Sequence, residues 1–278
     1  MIHKKIMLPV QYRDAGVENN NFTPCMTTYI LDNYAEYSAG RKRPVIVICP
    51  GGGYEMLSFR EAEAVAIKMN SLGYHACIVW YSLKPMTFPA ALLDLAEAVY
   101  YIRCHADEWS IKEDKVVTAG FSAGGHLAAS LGVYWNSSLL RNYLPYSAEQ
   151  IKPDALLLGY PVITAGEFAH NDSIRNVLGN TASFTKADVS LETLVTKDIP
   201  PVFMWHTDED TCVPLENSLS FATACRRAGV PLEFHVFRRG CHGLSLATPE
   251  TAWPDGNGVQ PECAVWPQLF ADWLNNLQ

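Results

Sequence analysis

Val117-Thr118-Ala119-Gly120-Phe121-Ser122-Ala123-Gly124-Gly125-His126-Leu127-Ala128-Ala129-Ser130 is a short apolar run that enters a glycine-rich corner and leaves with the composition of a helix. At its centre Gly120-Phe121-Ser122-Ala123-Gly124 fits Gly-x-Ser-x-Gly. Small residues at Gly120 and Gly124 let the backbone turn sharply from strand to helix, which leaves the Ser122 hydroxyl at the apex beside the positive end of the helix dipole. The flanks supply what the corner needs: Lys115-Val116-Val117-Thr118-Ala119 reads as the incoming strand and residues 127–133 as the outgoing helix. The stretch therefore has the context of a nucleophile elbow.

Working outward, Pro44-Val45-Ile46-Val47-Ile48-Cys49-Pro50 is β-rich and almost wholly apolar, the pattern of a strand covered on both faces. It ends in Gly51-Gly52-Gly53-Tyr54. Ser58 and Glu61 have the spacing of a capping box, which predicts a helix over about 60–72, stopped by Gly73. A strand over 74–81, apolar from Ala76 through Trp80, precedes an amphipathic helix from Phe88 to about Cys104, in which Asp94 either aligns loops or helices or, on the blander and favoured reading, is a solvated helical aspartate. Further strands are expected at 155–161, 201–206 and 232–237, and further helices at 215–228 and 265–277. Residues before about Asn33 alternate more loosely, with 27–31 the best strand, and predict antiparallel edge strands. Repeated strand and helix segments give an α/β fold with a mostly parallel sheet covered on both faces. The length suits one domain over 1–278, and the stretches 134–153 and 162–199 are long enough to shape a pocket over the sheet's carboxyl edge.

Twenty-one basic against 29 acidic side chains, a formal charge of -8, argue against a nucleic-acid partner. The tight basic cluster Arg41-Lys42-Arg43 precedes an apolar run and reads as a solvated strand entrance. Neither an export signal nor a membrane-spanning run is evident, so a cytoplasmic protein without membrane contact is expected. The eight cysteines, at 25, 49, 77, 104, 212, 225, 241 and 263, lack a close metal-binding pair. Cys49 and Cys77 fall in core strands, which favours reduced thiols over a disulfide framework.

Acyl transfer at Ser122 needs a base, an acid to orient it, and donors for the tetrahedral oxyanion. His242 follows strand 232–237 in a loop flanked by Gly240 and Gly243, which points it towards the same edge as Ser122. His206 and His235 sit inside strands and His126 in the elbow helix, which makes them weaker bases. Asp208 and Asp210 both follow strand 201–206 and leave two choices of acid. Oxyanion donors are expected from the backbone N–H of Ala123, after the nucleophile, and of Gly52 or Gly53 in the earlier loop. A phosphate cradle fits poorly, because Gly51-Gly52-Gly53 lacks the lysine and serine or threonine of a P-loop.

The order Ser122, Asp210, His242, each after a different strand, is that of the α/β-hydrolase superfamily, and the chain from about Pro44 onward resembles its small carbohydrate-esterase and acetyl-esterase members. Pro50-Gly51-Gly52-Gly53-Tyr54 resembles their His-Gly-Gly-Gly loop with Pro50 in place of histidine. Leu57-Ser58-Phe59-Arg60-Glu61 is similar to a Leu-Ser-x-Arg-Glu pattern of bacterial enzymes grouped with acetylxylan esterases. His206-Thr207-Asp208-Glu209-Asp210-Thr211-Cys212-Val213-Pro214 resembles His-Gly-x-x-Asp-x-x-Val-Pro, with Thr207 where glycine is usual, and that pattern selects Asp210 as the acid. The resemblance implies a three-layer α/β-hydrolase sandwich and hydrolysis of a small acyl ester through an acyl-enzyme on Ser122, with no metal or organic cofactor. It implies an acetylated sugar or xylo-oligosaccharide as substrate; Tyr54, Tyr81 and Tyr160 either line the cleft or pack in the core, and Trp80 packs in the core. A broad short-chain carboxylesterase and an arylformamidase-like amidase use the same machinery. From another class, a non-catalytic hydrolase scaffold would keep only the pocket.

Overall fold

The computed structural model describes residues 1–10, 12, 22–36, 38–180 and 183–277. Its strands are β1 (Lys5–Met7), β2 (Cys25–Tyr29), β3 (Arg43–Cys49), β4 (His75–Trp80), β5 (Ile111–Phe121), β6 (Ala155–Gly159), β7 (Val202–Thr207) and β8 (Leu232–Phe237). They form one eight-stranded sheet in the order β1-β2-β4-β3-β5-β6-β7-β8. From β3 to β8 every neighbouring pair is parallel, and only β1 and β2 run antiparallel at one side. Part of the loosely alternating N-terminal stretch, residues 11 and 13–21, lies outside the described residues.

Successive side chains of a strand point to opposite faces, and this sorts the core into layers. In β3, Val45, Val47 and Cys49 pack beneath α2 (Ala90–Cys104) and α3 (Ala123–Tyr134). Ile46 and Ile48 instead face α1 (Glu63–Ser71) and the last helix, Trp266–Asn276. The same division continues in β7, where Phe203 and Trp205 join the second face while Val202 and Met204 pack with Phe221 and Cys225 of the helix Glu216–Ala228. The result is the three-layer α/β-hydrolase sandwich. Among the described residues, no helix is long and apolar enough to cross a membrane.

Three sequence expectations are corrected here. The helix after the glycine loop begins at Glu63 behind a short 3-10 turn, Phe59–Glu61, and Ser58 makes no side-chain cap. Glu61 is drawn away to other partners, so the capping box does not form. Asp94 is fully buried rather than solvated, because α2 is enclosed on nearly every side; its carboxylate accepts from the Ser82 N–H at 2.7 Å and from the Tyr12 hydroxyl. Arg43 is also buried and donates to Asn33, since β3 already begins there, while Arg41 and Lys42 face solvent. All eight cysteines are free thiols, Cys49 and Cys77 among the buried ones.

Candidate active site

Parallel strands deliver their following loops to one edge of a sheet, and that edge is where residues distant in sequence meet. β5 ends at Phe121 and α3 starts at Ala123, so Ser122 alone makes the corner, with φ 54 and ψ -122. A non-glycine residue in that region is strained. Hydrogen bonds hold it there: the Ser122 N–H donates to Gly159 O at 3.1 Å, and its carbonyl accepts from Val162 at 3.0 Å and His126 at 3.1 Å. Gly120 and Gly124 have ordinary φ; they are needed for their size, since a Cβ on Gly120 would lie 2.0 Å from Gly124 O.

The loops after β7 and β8 bring the other two groups. His242 Nε2 lies 2.8 Å from Ser122 Oγ, and His242 Nδ1 lies 2.6 Å from Asp210 Oδ2. A carboxylate only accepts, so Nδ1 carries the proton and Nε2 is left to accept from the serine hydroxyl. Asp210 is fixed from its other side as well, accepting at Oδ1 from the N–H groups of Cys212 (3.0 Å) and Val213 (2.9 Å). Burial by itself would raise this carboxyl, but hydrogen bonds with His206 and His242 and with the Val213 N–H hold it well below the usual carboxylate range. It therefore stays an acceptor.

His206, a weak base candidate from sequence, is fully buried and stands behind Asp210. Its Nε2 donates towards Val213 O at 3.0 Å and Asp210 Oδ2 at 3.3 Å, and its Nδ1 accepts from Ser218. His126 is likewise buried, bridging the Tyr54 hydroxyl and Val189 O, and burial lowers it to about 4. His235 pairs with Glu233 on the edge strand β8. Asp208 is exposed and has its own N–H on Phe237 O, away from His242.

A cavity of about 340 Å³ opens over Ser122 and His242. Gly52 and Gly53 line it, and the N–H groups of Gly52, Gly53 and Ala123 find no acceptor among the described residues. The stretch 162–199 contributes His170, Asp172 and Asn176, on or beside the helix Asn171–Leu178, and Asn176 Nδ2 donates to Gly53 O at 2.8 Å. No described residue of 134–153 lines it. Its rim carries Arg60 and Trp253: the guanidinium lies 3.6 Å above the indole centroid while Nε and Nη2 donate to Thr251 O.

Tyr54, Tyr81 and Tyr160 do not line this cavity, so of the two readings the core one holds and the cleft one is corrected. Each is buried behind the glycine loop with its hydroxyl already committed: Tyr54 to His126, Tyr81 to Pro50 O at 2.6 Å, and Tyr160 to Glu61 at 2.7 Å. Sequence reasoning missed Trp253, His170 and Asn176, which sit in loops or at a short helix with no motif, and read Glu61 as a cap.

The sequence profile of the BD-FAE family matches residues 31–225, most of the chain and the whole run from β3 through the Asp210 turn. The chain belongs to the BD-FAE family. It is 38% identical over 222 residues to endo-1,4-beta-xylanase B of Butyrivibrio fibrisolvens, covering 77% of this chain and 35% of that protein. With an acetylxylan esterase of Xylanibacter ruminicola the identity is 30%, over 73% of this chain and 41% of the relative. The chain thus spans well under half the length of these two relatives. Solved structures match nearly end to end. An acetyl ester-xyloside bifunctional hydrolase from Caldicellulosiruptor lactoaceticus has a TM-score of 0.83 at 34% identity, covering 98% of this chain and 95% of that one. The carboxylesterase Cest-2923 from Lactobacillus plantarum has a TM-score of 0.85 at 30% identity, covering 99% and 97%. The BD-FAE chain is an α/β-hydrolase of the serine-hydrolase type, related to acetylxylan esterases.

Proposed function

We propose that this chain is a serine esterase that removes small acyl groups, chiefly acetyl, from sugars or xylo-oligosaccharides. The observation that carries the reading is the continuous line Ser122 Oγ, His242, Asp210, at 2.8 and 2.6 Å, beside a cavity lined by Gly52 and Gly53, whose peptide N–H groups find no acceptor among the described residues. Ser122 Oγ attacks the ester carbonyl as His242 Nε2 takes its proton, and the carbonyl π pair moves to oxygen, where the N–H groups of Gly52, Gly53 and Ala123 receive it. Collapse breaks the bond to the alcohol oxygen, which takes the proton from His242. Water then adds to the acyl-serine by the same route and releases acetate. Asp210 holds the imidazole in the useful tautomer and stabilises its protonated form.

The sugar half of the proposal draws on the acetylxylan esterase and the acetyl ester-xyloside hydrolase among the relatives. The cleft is consistent with it. Trp253 is 42% exposed, and its indole is held in place by Arg60, so it offers a platform for the apolar face of a pyranose in a cavity also lined by the polar His170, Asp172 and Asn176. Acetate release from acetylated xylo-oligosaccharides, aryl acetates and formylated amines, measured beside Ser122→Ala, tests the reading. The expected result is the highest kcat/KM on the acetylated sugars and a loss of at least ~10⁴-fold in the folded variant. Preference for aryl acetates would favour a general carboxylesterase, and preference for formylated amines an amidase. Absence of turnover on all three classes would leave a binding scaffold.

A further inference from the structure

Proline has no N–H and no polar side chain, so with Pro50 at its head the loop Gly51–Gly53 must be held by other groups. Two hold it. The Tyr81 hydroxyl donates to Pro50 O at 2.6 Å, and Glu61 Oε2 accepts the Gly51 N–H at 2.7 Å. Glu61 is only 3% exposed, and its second oxygen, Oε1, accepts from the Tyr160 hydroxyl at 2.7 Å. The Tyr160 oxygen in turn accepts the Ser245 N–H at 2.8 Å, and Ser245 Oγ donates back to Arg60 O at 2.6 Å. This closed circuit joins the glycine loop after β3, the end of β6 and the loop that carries His242.

Two details show that the circuit fixes the reacting groups rather than merely filling space. Tyr160 and Ser245 sit at φ 35 and 55, although neither is glycine. Such conformations persist only where surrounding contacts over-determine them. The Tyr160 ring also stands edge-on to the His242 imidazole, with centroids 5.1 Å apart, so shifting this tyrosine shifts the wall against which the base rests. Burial, and then the neighbouring Glu61, push the Tyr160 phenol well above its ordinary value, so it remains a donor.

We propose that Glu61 is a positioning residue for ester hydrolysis: it orients the peptide units of the oxyanion loop and, through Tyr160 and Ser245, the loop of His242. The proposal rests on the esterase reading above and adds a determinant outside the triad. Glu61→Gln tests it with little change in volume. One arm of the amide becomes a donor, and it must face either the Gly51 N–H or a Tyr160 oxygen that already accepts from Ser245. The first choice takes the acceptor from the Gly51 N–H, and the second takes it from the Tyr160 phenol proton. Tyr160→Phe cuts it at the other joint.

Both variants should be compared with wild type for 4-nitrophenyl acetate turnover, thermal midpoint, and inhibition by an aryl trifluoromethyl ketone. Ser122 Oγ adds to the ketone carbon, its proton passes to His242 and the carbonyl pair becomes an oxyanion, so the inhibitor reports on the loop without any leaving-group step. Glu61→Gln should lower kcat by about 10- to 100-fold, less than the ~10²–10³-fold of losing an oxyanion donor outright, with KM within about threefold. The ketone inhibition constant should rise by the same factor. Tyr160→Phe should lower kcat by roughly 3- to 10-fold in the same pattern. A merely structural acid predicts a lower midpoint with ketone affinity unchanged per folded molecule, and that result overturns the proposal. If Glu61→Gln does not fold, Tyr160→Phe decides, with unchanged kcat and ketone affinity counting against it. Wild-type protein that neither turns over esters nor binds the ketone removes the esterase reading itself.

Discussion

Asp208 and Asp210 stand two residues apart on one turn, and by residue type either can serve a histidine. Only their surroundings separate them. Asp210 is 6% exposed and is held by His206, His242 and two peptide N–H groups, whereas Asp208 faces water. Asp210→Asn keeps the shape but presents an amide that favours the wrong tautomer of His242, so kcat should fall by ~10⁴-fold. Asp208→Asn should leave kcat within about twofold, as an exposed charge usually does. Steady-state kinetics on 4-nitrophenyl acetate would show this, and equal losses in the two variants would count against the assignment. The resemblance of His206–Pro214 to the hydrolase His-Gly-x-x-Asp-x-x-Val-Pro pattern is what preferred Asp210 from sequence. The role of His206 was not legible, because a histidine in an apolar strand looks the same whether it packs or supports an acid. Glu61 was misread for a related reason: its spacing from Ser58 satisfies a local rule, while its actual partners, Gly51 and Tyr160, are distant in sequence and brought close only by the fold.

At the scale of elements, the apolar runs 44–50, 74–81, 155–161 and 201–206 were readable as buried parallel strands because they are hydrophobic on both faces, and each is present with its ends moved by a few residues. The boundaries moved where tertiary contacts overrode local propensity: α1 starts late because Glu61 is held elsewhere, and β5 starts early because Ile111 pairs with Arg43. The fit of α3 against β3 has a consequence that can be measured. A Cβ on Gly124 would lie 2.0 Å from Cys49 O and 2.5 Å from Pro50 O, both main-chain atoms that cannot rotate away. Gly124→Ala gains about 1 kcal/mol of helix propensity, but relieving such an overlap requires α3 to lift from the sheet, at about 3 kcal/mol or more. Net destabilisation of roughly 2 kcal/mol or more is therefore expected in urea unfolding, with activity lost as the elbow moves. A variant as stable as wild type would mean that the elbow is looser than this packing implies.

Over the whole molecule, buried titratable groups pull the pH dependence of stability in opposite directions. Burial lowers His75 and His126 from 6.5 to about 4, so the native state keeps them neutral. Their contribution is present above the unfolded value of 6.5 and is lost as pH falls towards 4. Between pH 7.5 and 4.5 this amounts to about 2.5 kcal/mol for each, as an upper bound. Burial raises Asp94 from 3.8 to about 6. Here the native state binds a proton that the unfolded chain does not, so stability rises as pH falls from 6 towards 3.8, by about 2 kcal/mol at pH 4.5. Two histidines outweigh one aspartate, and the wild-type protein should lose stability on acidification over this window. Asp94→Asn removes only the opposing contribution, while its side-chain oxygen can still accept the Ser82 N–H. Whatever its offset at neutral pH, the variant should fall more steeply, and its unfolding free energy relative to wild type should drop by about 2 kcal/mol between pH 7.5 and 4.5. Urea titrations followed by tryptophan fluorescence at pH 7.5, 6.0 and 4.5 would reveal the change. A gap between variant and wild type that stays constant across the three would show that Asp94 ionises as freely in the folded protein as in the unfolded chain.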